Sequence, residues 1–229
     1  MSQVRVLLAT RNAQKLVELR RTLASTDLSG VEVLGLDDVP PFPESPETAA
    51  TFEGNALAKA RDAAAATGLA TVADDSGLEI DAFNGMPGVL SARWAGRHGD
   101  DAANLQLVLD QLADVPEDRR GAAFVCAAAL VVPCGADTSG TETVVRGHWR
   151  GTLIGAARGR NGFGYDPIFV PDGDRRTSAE LEPAEKDALS HRGRALRTLL
   201  PALRELLTSP ARGGDLSSRP ARPGQPTVG

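Results

Sequence analysis

Residues 69–83, "LATVADDSGLEIDAF", place two adjacent carboxylates at the end of an apolar, β-prone run and follow them with Ser76 and Gly77 before apolar residues resume. Side chains of consecutive strand residues point to opposite faces, so Asp74 and Asp75 converge only if the chain turns there. Ser and Gly are turn formers. The stretch is therefore expected to be a hairpin, "LATVA" and "LEIDAF" being its strands and "DDSG" its turn. Taken alone, that turn is better explained as plain chain reversal than as half of a metal site. Mg²⁺ takes one or two carboxylates together with substrate phosphates.

Outward from this stretch the chain alternates strands and helices. "VRVLLAT" reads as a buried strand, "NAQKLVELRRTLA" has helical spacing, and "VEVLGL" (31–36) reads as a second strand. A Pro-rich acidic loop with Glu44 and Glu47 leads to a helix over roughly 52–67 closed by Gly68. Asp100 is placed to cap the next helix. "AAFVCAAALVV" and "TETVVRGHW" read as a second hairpin around Gly135 and Gly140. "DPIFV" reads as a strand, and a helical end runs from about 178 to 207, kinked or broken near Pro201. Two hairpins among alternating elements predict an α/β fold with a mixed sheet. Residues 208–229, rich in Pro and Gly, are expected to be a disordered tail after a single domain spanning 1–207.

The whole-chain balance narrows the function. Among 229 residues, 41% are hydrophobic and 24% charged, and no apolar run reaches the roughly 18 residues of a membrane span. The start, "MSQVRVLLAT", reads as a strand rather than a signal peptide, and the two cysteines give no disulfide framework, so a cytoplasmic protein is expected. A net charge of −5 argues against a nucleic-acid-binding module and leaves room for a small anionic ligand held by placed cations. Only three of the 25 basic residues are lysines: Lys15, Lys59 and Lys186. In a chain so biased to Arg, a retained Lys suggests a need for a compact point charge.

Three further stretches bear on chemistry. In "LLATRNAQK" (7–15) a strand passes into a helix whose N-terminal N–H groups and Lys15 suit a phosphate; ordinary capping by Thr10 or Asn12 accounts for it as well. In "GRNGFGYDP" (159–167) two of only nine aromatic residues, Phe163 and Tyr165, stand among glycines, as a platform for a flat ligand or as core residues of a turn. In "PAEKDALSHRGRAL" (183–196) Pro183 suits a first helical position and Ser190 caps a second helix, which puts His191 and Arg192 at its start. Jointly these are the parts a nucleoside triphosphate requires.

The chain resembles the inosine triphosphate pyrophosphatases, also called Ham1-like or non-standard purine NTP pyrophosphatases. The resemblance rests on "TRNAQKLVELRRTL", "ETAATFEGNALAKA", "ADDSGLEIDAFNGMPGVLSARW", "NGFGYDPIF" and "AEKDALSHRGRAL" in that order, and covers residues 4 to about 207. It implies a two-lobed, elongated α/β fold with a cleft between the lobes. It also implies a homodimer, and Mg²⁺-dependent hydrolysis of ITP, dITP and XTP to the monophosphate and pyrophosphate. By motif, Thr10, Arg11, Asn12, Ala13, Gln14 and Lys15 would hold the triphosphate. Asp75 would be the metal-linked general base, Asp74 its partner, Glu47 a further metal ligand, and Ser76 a substrate contact. Phe163, Gly164, Tyr165, Asp166, Lys186, His191 and Arg192 would form the nucleobase pocket. Arg11 stands where the family usually has Gly. A Maf-like pyrophosphatase for modified pyrimidines and a non-hydrolytic nucleotide-binding regulator are the alternatives.

Overall fold

In a computed structural model, which describes residues 4–24, 30–134 and 140–208, the apolar run of the second hairpin is the middle of the molecule. Strand β4 (Gly121–Val132) is buried along nearly its whole length because both its faces are covered. Ala123, Val125, Ala127, Ala129 and Val131 face one apolar cluster, and Cys126, Ala128, Leu130 and Val132 face another. A continuous apolar run is what two covered faces require of a strand.

Among the described residues the sheet has six strands: β1 (Val4–Leu8), β2 (Val31–Leu34), β3 (Ala70–Ile80), β4, β5 (Thr141–Leu153) and β6 (Phe169–Pro171), in the order β2-β1-β3-β4-β5-β6. β1 runs parallel to β2 and β3, whereas the β3–β4, β4–β5 and β5–β6 pairs are antiparallel, so the expected mixed sheet is present.

The "DDSG" hairpin is absent. β3 is one unbroken strand held extended against β4 over ten consecutive pairs, from Thr71↔Val131 to Ile80↔Ala122. Ser76 and Gly77 sit inside it, opposite Cys126 and Val125. Gly77 meets a packing demand rather than a turn: a Cβ there would lie 2.4 Å from Ser91 Oγ and 2.5 Å from the Gly88 carbonyl.

The described residues form five helices, α1 (Ala13–Ala24), α2 (Phe52–Thr67), α3 (Asp101–Gln111), α4 (Pro183–Leu189) and α5 (His191–Thr208), of which α4 packs against α1 and α5. α2 lies on one face through Ala56, Ala60, Ala63 and Ala64, whose small side chains allow a close approach; Thr51 caps its start and Gly68, with φ +72°, ends it. α5 covers the other face through Ala195, Leu196, Leu199 and Leu203. A third cluster, with Leu78, Ile80, Trp149, Ile168 and Phe169, fills the far end of the long β3–β5 strands.

Local signals hold well. Asp100 caps α3 through Ala103 N–H, Pro183 opens α4, and Ser190 ends α4 and caps α5 through Gly193 N–H. The expected helical end is thus a 3-10 turn (Ser178–Glu180) and two helices, the second of which continues through Pro201 without a break. "DPIFV" is strand only from Phe169, since Asp166–Ile168 forms a 3-10 turn. Gly135 and the tail from 209 lie outside the described residues. Among the described residues no helix is long and apolar enough to cross a membrane.

Candidate active site

β1 is short, and that opens the site. It pairs with β3 only from Val6↔Ala70 to Leu8↔Val72, after which the chain leaves for α1. Beyond Val72 one edge of β3 has no strand beside it among the described residues, and Asp74, Asp75 and Ser76 fall on that edge. A cleft of about 530 Å³ occupies the space, outside the carboxyl end of β1, where open α/β sheets place their ligands. Both aspartates line it although they start from opposite faces of the strand.

Asp74 belongs to the α1–α5 side. Its Oδ2 is 2.8 Å from Lys15 Nζ and 3.4 Å from Arg192 Nε. Arg192 also donates to Ser76 Oγ at 3.0 Å and pairs with Glu18. Burial alone would raise the Asp74 pKa, but Lys15 and Arg192 outweigh it and hold the carboxyl well below the ordinary carboxylate range. Asp74 is a fixed anion.

Asp75 belongs to the α2 side. Asn55 Nδ2 donates to its Oδ2 at 3.0 Å, and Lys59 Nζ lies 3.3 Å from its Oδ1. Asn55 also accepts the Ala49 N–H, which ties the acidic loop to the strand. Here burial prevails over the pull of Lys59 and Asn55 and raises the pKa. Two neighbouring carboxylates are pushed apart in pKa, the pattern that separates a base from a permanent charge.

The same Lys59 Nζ is 2.9 Å from Glu47 Oε1, and Arg93 Nη1 is 3.3 Å from Glu47 Oε2. Glu47 and Asp75 therefore meet across one ammonium, which stands where a cation is wanted. Their oxygens are the donors a hard divalent ion takes along with phosphates. The residues fit such an ion, although among the described residues no group of three or more His, Cys, Asp or Glu is placed to hold one. Asp74 is committed to Lys15 and Arg192 instead of joining Glu47.

At the start of α1, Asn12 Oδ1 accepts the N–H groups of Gln14 (2.9 Å) and Lys15 (3.2 Å), and Thr10 Oγ1 accepts that of Asn12 (3.2 Å). Thr10, Arg11, Asn12, Gln14 and Lys15 line the cleft, whereas Ala13 lines the neighbouring groove between α1 and α4. Arg11 turns outward and pairs with Glu44.

The aromatic segment lines the same cleft. Lys186 Nζ and Arg192 Cζ lie 5.4 and 5.6 Å from the Phe163 ring centroid. Asp166, buried, accepts from Phe163 N–H (2.8 Å), Lys186 Nζ (2.5 Å) and Ser178 Oγ (2.7 Å), so it sets the loop and the lysine together. Gly164 and Tyr165 also line the cleft, but the Tyr165 hydroxyl points to the Ser91 carbonyl at 2.8 Å and serves the core. His191 stacks on Phe124 (centroids 4.9 Å, 14°), and its buried Nδ1 has no hydrogen-bond partner among the described residues.

Asn55, Lys59, Arg93 and Phe124 were absent from the sequence-derived set. Asn55 and Lys59 did carry a signal: two polar residues four apart on the alanine face of a helix, one of them among only three lysines. Arg93 and Phe124 carried none, as their roles depend on contacts far apart in sequence.

A model of the Ham1 family matches residues 6–202. A dITP/XTP pyrophosphatase of Nocardia farcinica is 67% identical over 206 residues, covering 90% of this chain and 98% of its own. One of Mycobacterium tuberculosis is 65% identical over 204 residues, covering 89% and 97%. Among solved structures, a nucleoside-triphosphatase (dITP/XTP pyrophosphatase) of Mycobacterium abscessus aligns with TM-score 0.69 at 61% identity, over 86% of this chain and 100% of that one. A HAM1 protein of Coxiella burnetii aligns with TM-score 0.75 at 40% identity, over 89% and 100%.

Proposed function

The chain belongs to the Ham1 family, and from that premise we propose that it hydrolyses the non-standard purine nucleoside triphosphates dITP, ITP and XTP to the monophosphate and pyrophosphate. The carrying observation is that one cleft joins Lys15, Lys59, Glu47 and Asp75 to Phe163 under two cations.

In this proposal the triphosphate lies along the start of α1 and the purine against Phe163. Asp75, whose pKa burial raises, orients a water toward the α-phosphorus and takes its proton as the bond to the leaving pyrophosphate breaks. Lys15 and Lys59 offset the charge that builds on the phosphate oxygens. Asp74 holds Lys15 and Arg192 in place. Glu47 and Asp75 would hold a divalent ion, Mg²⁺ in this proposal, which when bound neutralises phosphate charge and acidifies water.

Base selection follows from the buried cations. Arg192 spends three of its five N–H donors on Asp74, Glu18 and Ser76, which leaves donors for a 6-keto oxygen. Adenine offers an amino group there and would leave a buried donor unpaired. A homodimer acting on the cytoplasmic nucleotide pool belongs to the same proposal, on the strength of the family resemblance.

The test is a Mg²⁺-dependent assay over ITP, dITP, XTP, ATP, dUTP and methylated pyrimidine triphosphates with product analysis. Preferred release of pyrophosphate from ITP, dITP and XTP is expected. A preference for modified pyrimidines would point to the Maf-like activity, and nucleotide binding without turnover to a regulator; either overturns the proposal.

A further inference from the structure

Arg11 occupies a position where a glycine would give the phosphates a bare backbone, and its side chain does not fold into the cleft. It is 76% exposed and pairs with Glu44, itself 34% exposed, across the rim between the start of α1 and the acidic loop. Both residues nevertheless line the same cleft as Lys15 and Asp75. The rim thus carries one cation and one anion that neutralise each other only while no stronger partner is present.

The two cations of this end differ in how they are held. Lys15 is largely buried and bound to Asp74, itself buried, so it serves as a fixed charge. The Arg11–Glu44 pair is solvated, and an exposed ion pair contributes little and is given up easily. A phosphate competes well for it, because a guanidinium matches a phosphate with two parallel hydrogen bonds and a doubly charged partner attracts it more than one carboxylate does. At the exposed rim, outside the buried Lys15–Asp74 pair, Arg11 is suited to the outermost phosphate of a bound tail.

On the footing of the nucleotide cleft proposed above, we propose that Arg11 exchanges Glu44 for the terminal phosphate of the substrate and so discriminates a triphosphate tail from a shorter one. Glu44 holds the guanidinium in position until the tail arrives and returns to solvent when it leaves. The pair is a counter-charge that the ligand displaces, and the chemistry recognised is the terminal dianionic phosphoryl group of a triphosphate tail.

The test is titration calorimetry on the full chain with Mg²⁺, using ITP with a non-hydrolysable α,β-imido bridge and IDP as probes. Arg11→Ala should weaken binding of the triphosphate analogue about tenfold and of IDP less than twofold, with Arg11→Lys in between. Glu44→Gln, which breaks the same pair, should leave triphosphate affinity unchanged or raise it. A rim pair that merely latches the acidic loop predicts equal losses from Arg11→Ala and Glu44→Gln, and that result overturns the exchange. So does an equal loss for the two nucleotides in Arg11→Ala. If the unmutated chain binds neither nucleotide, the nucleotide cleft itself is wrong, which is a different failure from a cleft that binds both and ignores Arg11.

Discussion

Asp74 and Asp75, neighbours on one unbroken strand, pair with different helices: Asp74 with Lys15 of α1 and Arg192 of α5, Asp75 with Asn55 and Lys59 of α2. They reach a common cleft because β1 stops at Leu8 and leaves the edge of β3 open. Opposite faces of a strand give one pair of carboxylates two electrostatic environments, and the pKa values move apart accordingly.

The two amide substitutions should therefore separate. Asp75→Asn removes the proposed base, so turnover of dITP should fall by about 10²–10⁴-fold while the denaturation midpoint stays near that of the unmutated chain. Asp74→Asn leaves Lys15 and Arg192 short of a buried counter-charge and should cost about 3 kcal/mol in urea unfolding. A silent Asp75→Asn, or equal stability loss in both variants, would contradict this division.

Gly77→Ala probes the packing beneath the pair. The new methyl meets Ser91 Oγ and the Gly88 carbonyl, both in the 3-10 turn Gly88–Arg93. That turn also accepts the Tyr165 hydroxyl at Ser91 and presents Arg93 to Glu47. A loss of about 1–3 kcal/mol is expected from the overpacking, with a fall in kcat/KM for dITP because Tyr165 and Glu47 shift with the turn. A thermal scan and a steady-state assay on one preparation check both.

How much of this was open to inspection in the sequence depended on range. Caps at Asp100 and Ser190, the helix stop at Gly68 and the strand character of the β4 run rest on near neighbours or on composition, and they were readable. "DDSG" misled because its composition is that of a turn, while its conformation is set by ten pairs with β4, some fifty residues away. The proximity of Asp75 and Glu47 likewise depends on Lys59 reaching both and on Asn55 tying Asp75 to Ala49 of the acidic loop, which no local pattern encodes. Arg11 was visible as a departure from the family pattern, but its partner Glu44 was not.

Stability should also report the state of His191. Burial first, then Arg192 and Lys186, push its pKa well below the ordinary histidine value, so the folded chain keeps it neutral. The unfolded chain takes up that proton near pH 6.5. Between that pH and the depressed folded value the unfolded state binds more protons, so stability must fall as pH falls, by up to about 1.4 kcal/mol per pH unit for this one group. The difference in unfolding free energy between the unmutated chain and His191→Gln should be flat above about pH 7.5 and decline below about pH 6.5. A difference that is flat down to pH 5 would mean that His191 titrates normally.

Lys59 is the last element to test, since its ammonium lies between the two carboxylates proposed to hold the metal. Lys59→Ala leaves Glu47 and Asp75 facing each other with less positive charge between them, so the folded chain should gain affinity for a divalent ion. A ligand bound only by the folded state stabilises it by RT ln(1 + [L]/Kd), so the rise in Tm on adding Mg²⁺ should be larger in Lys59→Ala than in the unmutated chain. Turnover should fall in the same variant, because a cation aimed at the phosphates is gone. The two readouts thus move in opposite directions. A Lys59→Ala protein whose Tm is indifferent to Mg²⁺ would show that Glu47 and Asp75 are not the metal's ligands. Unchanged turnover would instead confine Lys59 to holding the two carboxylates together.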